Sequence, residues 1–138
     1  EEGSADRPDD RGAFDLLAYA SVSVAHDAAA ARGAARPPVA FIVAGAAPPV
    51  LERHGIDDDA AATIGDHIAA GEFTEAFELV TDGMIDAFSI AGTPAAVTDR
   101  MAALRDHTDG IVVGSPLGPD PETAVELAAT AWRESASK

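Results

Sequence analysis

Apolar positions along this chain form two kinds of run. From Phe14 to Val24, the residues Phe14, Leu16, Leu17, Ala18, Tyr19, Val22 and Val24 are nearly continuous and include aromatic and β-branched members. That pattern predicts a strand buried on both faces, as in a parallel sheet. Ile111 to Val113 is a second, shorter buried strand. Elsewhere apolar residues recur at helical spacing. Asp27 caps a helix over the alanine-rich Ala28 to Ala35, and Pro37 and Pro38 end it. A new element then runs from Val39 to about Ala47; Val39 to Val43 suits a helix or a third strand equally. Val50 to His54 is a helical turn closed by Gly55.

Asp57, Asp58 and Asp59 precede a helix running through Ile64 and Ile68 to Gly71. No further ligands follow at calcium-loop spacing, so the three acids read as a helix N-terminus meeting the dipole. Phe73, Phe77, Val80 and Met84 predict one further helix from about Thr74 to Ser89, weakened at Gly83. Thr93 and Pro94 open a helix whose buried face is Val97, Met101 and Leu104 and which ends near His107. Asp120 and Pro121 open the last helix, to about Glu134, with Val125, Ala128, Ala129 and Trp132 as its buried face. The order is strand, helices, strand, helix, an α/β pattern that is mostly helical. Two buried strands make no stable sheet alone, so Val39 to Val43 is a third strand or the partners precede Glu1.

Length and composition sharpen this. The chain has 138 residues, enough for one domain but short of the ~200 that a closed eight-stranded α/β barrel needs. It opens on Glu1-Glu2 without a methionine, and residues 1–138 read as a single segment, the C-terminal part of something longer. The net charge of -15 comes from 24 acids against nine bases, and Lys138 is the only lysine. Such a surface repels nucleic acid and anionic membranes. The acids are scattered rather than gathered in a tail, which fits a halophile's salt-screened cytoplasm. The absence of cysteine excludes disulfides, thiolate metal sites and a cysteine nucleophile. No apolar run reaches the ~20 residues that span a bilayer and no signal peptide is visible, so a cytoplasmic protein is expected.

Candidate chemistry is sparse. His26, His54, His67 and His107 have no metal-ligand spacing, so no metal site is predicted, and no catalytic residue can be assigned. The strand Ile111–Val113 runs into the small-residue loop Gly114-Ser115-Pro116-Leu117-Gly118, ahead of Asp120. Ligands of parallel α/β proteins bind where strands end and loops begin. The alternative is that these residues only shape a tight turn. Ser21 and Ser23 at the end of the first strand read as hydroxyls bonding to neighbouring backbone, unless that strand lines a pocket.

Five runs carry a resemblance. They are Ala18-Tyr19-Ala20-Ser21-Val22-Ser23-Val24, Arg36-Pro37-Pro38-Val39-Ala40-Phe41-Ile42, Leu51-Glu52-Arg53-His54-Gly55, Asp86-Ala87-Phe88-Ser89-Ile90-Ala91-Gly92-Thr93-Pro94 and Gly114-Ser115-Pro116-Leu117-Gly118. Together they resemble the C-terminal part of the methylenetetrahydromethanopterin reductases, an archaeal one-carbon-metabolism family of the luciferase-like monooxygenase superfamily. The resemblance implies part of a (β/α)8 TIM barrel, with Phe14–Val24 as its seventh strand, Ile111–Val113 as its eighth, Val39–Val43 as helix, and the helices to Ser89 as an insertion between the strands. It implies an oxidoreductase passing hydride from the reduced deazaflavin coenzyme F420 to a methylene-tetrahydropterin or a folate analogue, giving the methyl form. The incomplete chain would be inactive alone, and the intact protein a homo-oligomer. The implied coenzyme contacts within this chain are Ser23, Gly114, Ser115, Pro116, Leu117 and Gly118. The alternatives are a fragment of a monooxygenase using FMN on the same scaffold, and a non-catalytic α/β interaction module.

Overall fold

The structure, a computed structural model, describes residues 15–138; Phe14 and the polar Glu1–Gly12 segment lie outside them. Three strands form one parallel sheet in the order β2-β1-β3: β1 (Leu17–Val24), β2 (Ile90–Gly92) and β3 (Gly110–Leu117). The two strands read from the sequence are side by side, with Leu17 opposite Gly110 and Ser21 opposite Gly114. The Asp109 amide donates to the Leu16 carbonyl at 2.8 Å, and the Leu16 amide donates to the Asp109 carboxylate at 2.7 Å, which fixes the start of the pair. The third strand is not Val39–Val43. It is the three residues Ile90 to Gly92, which line up with Val22 to Val24. β1 is the central strand, flanked by β2 on one side and β3 on the other.

Val39–Val43 instead belongs to α1 (Ala28–Gly45), one helix that runs straight through Pro37 and Pro38. The prolines remove two helical N–H donors, opposite Gly33 and Ala34, yet the helix continues. Its face Ala35, Val39, Ala40 and Val43 is fully buried, and that packing outweighs the local cost. α2 (Pro48–Arg53) and α3 (Asp58–Ala70) follow. Asp57 caps α3 through the Ala60 amide, and Gly71 ends it with φ 79, a conformation suited to glycine. The expected helix Thr74–Ser89 is two, α4 (Phe73–Glu78) and α5 (Asp82–Phe88). The break falls before Gly83, where the Thr81 hydroxyl caps the Met84 amide at 3.2 Å and starts a new helix.

α6 (Pro94–Arg105) and α7 (Pro121–Ser135) complete the described chain. The buried face of α7 is Ala124, Ala128, Ala131 and Ser135. Of the predicted Val125, Ala128, Ala129 and Trp132, Ala128 is buried and Trp132 is partly buried against the sheet core, while Val125 and Ala129 are exposed. Val125 is 53% exposed and lines, with Ile111, Val113, Leu117 and Trp132, an apolar groove of about 360 Å³ beside β3. The small alanine face lets α7 lie close to its neighbours, whereas the larger valine could not. Val22 and Val24 turn toward α6 and α7, while Ser21 and Ser23 turn the other way.

Candidate functional site

The carboxyl ends of the three strands meet where Ser23 lies opposite Leu117 and Val24 opposite Gly92. This is the sheet end at which ligands bind in parallel α/β folds. The pairing between β1 and β3 shifts register between Ser21 and Ser23, so β3 carries one extra residue there. Gly114 to Leu117 are therefore strand, not the loop expected from the sequence. Only Gly118, Pro119 and Asp120 connect β3 to α7.

Each predicted contact residue has a defined setting. The Ser23 hydroxyl is fully buried and donates to the Ala31 carbonyl of α1 at 2.6 Å. The Ser21 hydroxyl donates to the Ser115 carbonyl at 3.0 Å, tying β1 to the bulged part of β3. Both serines thus bond to backbone, and Ser23 has no face toward a ligand. Gly114 is covered by the ring of Tyr19, which a side chain at 114 would strike. A side chain at Gly118 would run into the Val24 carbonyl oxygen and lie 2.9 Å from the Ala124 methyl. Gly118 therefore serves close packing inside the sheet unit, whereas the Tyr19 ring over Gly114 is itself 72% exposed. Ser115 is exposed, and Pro116 and Leu117 are half-buried; these three are the predicted contacts with surface to offer.

The turn into α7 is closed on itself. The Asp120 carboxylate accepts from the Glu122 amide at 3.1 Å and the Thr123 amide at 3.4 Å, and the Thr123 hydroxyl donates to its other oxygen. A separate cavity of about 370 Å³ lies against the middle of β1, lined by Tyr19, Ser21, Ile42, Phe88, Ile90 and Arg100 among others. Neither Ser23 nor any residue from Gly114 to Gly118 lines it. Sequence reading missed the pairing of Tyr19 with Gly114. Its only trace is an aromatic on one strand diagonal to a glycine on the next, visible once the register is known.

Residues 1–109 match the model of the family described as luciferase-like monooxygenase, and the chain belongs to that family. More particularly, it is similar to proteins named 5,10-methylenetetrahydromethanopterin reductase. That of Archaeoglobus fulgidus is 46% identical over 122 residues, covering 85% of this chain and 37% of the relative. That of Methanolobus tindarius is 51% identical over 115 residues, covering 82% and 35%. The Methanopyrus kandleri protein is 44% identical over 128 residues, covering 92% and 37%. A solved structure of the coenzyme F420 dependent tetrahydromethanopterin reductase of M. kandleri superposes with a TM-score of 0.81 at 45% identity, over 85% of this chain and 34% of that one. The chain thus spans about a third of the length of the curated relatives it matches. Its fold is that of a portion of the family's (β/α)8 barrel.

The described residues do not fit an anionic coenzyme's charged groups at this sheet end. The amides that open α7 already bond to a carboxylate, Gly118 and Ser23 are engaged from within, and the Tyr19 ring lies over Gly114. What remains is a neutral wall of Ser115, Pro116 and Leu117.

Proposed function

We propose that this chain is the C-terminal part of a coenzyme F420-dependent oxidoreductase that moves hydride from the reduced deazaflavin to methylenetetrahydromethanopterin, or a folate analogue, giving the methyl form. The observation that carries this reading is the similarity to relatives so named, at 44–51% identity along 82–92% of the chain. The chain's part is to supply one sector of the scaffold. Ser115, Pro116 and Leu117 present a neutral wall at the carboxyl end of β3, while Gly118 and Ser23 hold that wall by packing behind it. The complete protein acts on a small-molecule pterin in the cytoplasm, as a homo-oligomer. Among the described residues no helix is long and apolar enough to cross a membrane, which is compatible with that setting. The three relatives described above are each named as reductases, which favours this reading over the non-catalytic module.

The test is binding and turnover by the complete protein. It is expected to bind coenzyme F420, to prefer it to FMN, and to oxidise reduced F420 when methylene-tetrahydropterin is added. Tight FMN binding with no F420 binding would replace the reductase by a flavin monooxygenase. Ser115→Ala is expected to weaken coenzyme binding by about 1 kcal/mol, the worth of one neutral hydrogen bond, with thermal stability unchanged.

A further inference from the structure

We infer that the carboxyl end of this sheet excludes anions, so that it meets only uncharged parts of a bound ligand. This rests on, and narrows, the coenzyme reading above. Anion sites in α/β folds draw on free amides at the helix that follows a strand. All three such helices are closed here. After β1, the Asp27 carboxylate accepts from the Ala29 and Ala30 amides at 2.8 and 3.2 Å. After β2, the Thr93 hydroxyl accepts from the Ala96 amide, and Pro94, first in α6, has no N–H. After β3, the Asp120 carboxylate accepts from the Glu122 and Thr123 amides. Between Gly118 and Pro121 every second residue is a proline, so no two successive amides there can form an anion nest. Two of the three caps are themselves carboxylates, and Glu122 adds a third negative group beside β3. A phosphate or carboxylate brought here would face like charge, with the cap-facing amides of all three helices already bonded. The anionic groups of the coenzyme must be held elsewhere, and this end of the sheet selects for the neutral ring portion.

The test uses the complete protein with coenzyme F420 and, separately, inorganic phosphate. Asp27→Asn with Asp120→Asn keeps both caps and removes two charges. F420 affinity is expected to stay within about twofold of the wild type at low salt. Were an anionic group docked within roughly 4 Å of either aspartate, the double variant would tighten binding by roughly fivefold or more, and the inference would fall. In the phosphate titration, the amide resonances of Glu122 and Thr123 are expected to stay still in the wild type and to shift in Asp120→Gly, where the donors are uncovered. Shifts in the wild type would overturn the inference. Silence in both would also overturn it, because the cap would not be what keeps anions away. A wild type that binds no F420 would remove the reductase reading instead, and the phosphate titration would still decide this one.

Discussion

The molecule has two cores, and they are built differently. The helical core gathers Ala35, Val39, Val43, Leu51, Ile64, Val80, Met84 and Ile85 from α1 to α5. The sheet core gathers Val22, Val24, Ile90, Val97 and Met101 with three alanines of α7. The first is filled by large branched side chains between helices. In the second, the fully buried α7 positions are alanines, with Leu127 and Trp132 packed at the margin, and the backbones approach closely at Gly118. Each core also has an arginine fastener. In the helical core Arg32 of α1 grips α5: its guanidinium donates to the Asp82 and Asp86 carboxylates at 3.1 and 2.9 Å and to the Asp82 carbonyl. In the sheet core Arg105 lies 3.4 Å above the Trp132 ring and donates to the Ser135 hydroxyl and the Trp132 carbonyl, each at 2.7 Å. One fastener is an ion pair with exposed carboxylates; the other is a stacked cation with neutral acceptors. Volume can therefore stabilise the helical core almost anywhere, whereas the sheet core depends on a few tight contacts.

That contrast breaks most easily at Gly118. Gly118→Val must displace either the Val24 carbonyl or the α7 helix, and a loss of about 3 kcal/mol or more is expected in denaturant unfolding of the complete protein. A variant as stable as the wild type would show that β3 and α7 are looser than the structure has them.

Ile85→Ala and Met101→Ala sharpen the comparison next. Both side chains are fully buried, one in each core, and each truncation should cost about 2–5 kcal/mol. If the cores are separable, hydrogen exchange in Ile85→Ala rises in α2 to α5 and leaves the β1–β3 amides protected, and Met101→Ala does the reverse. Equal acceleration everywhere in both variants would make the two cores one cooperative unit.

The fasteners give a smaller effect with a different signature. The hydrogen bond to Asp86, together with Asp82, raises the Arg32 pKa against the opposing pull of burial. A raised folded-state value contributes stability at every pH below the ordinary arginine range, so a scan through neutral pH leaves the guanidinium charged. Salt is the better probe. Arg32→Gln should cost about 1 kcal/mol at low ionic strength and almost nothing in multimolar potassium chloride, because Asp82 and Asp86 are exposed and screened. Arg105→Gln should cost about 1–2 kcal/mol at both salt concentrations. Against this background the wild-type thermal midpoint should rise with salt as the net charge of -15 is screened. A falling midpoint would mean that ion pairs such as those of Arg32 outweigh the general repulsion.

The sequence by itself determined the local grammar. Asp27, Asp57, Thr93 and Asp120 cap helices where their residue types and positions said they would, because a cap needs only its own next three residues. The runs around β1 and β3 announced parallel strands for the same reason. The alternating prolines after Gly118 were also visible, but the run from Gly114 to Gly118 reads as a ligand loop or a tight turn, and the hydrogen bonds that close the cap at Asp120 emerge only in the structure. Tertiary structure decided the rest. Pro37 and Pro38 failed to end α1 because a buried face spanning both sides of them outweighed two missing hydrogen bonds. β2 was invisible because three residues carry no period; only pairing with Val22 to Val24 makes them a strand. The face of α7 turned from valine to alanine because its partners needed close approach. Gly114 and Gly118 looked like room for a ligand, and became room for Tyr19 and for the Val24 carbonyl, because a glycine in sequence shows that space is needed but not which neighbour will fill it.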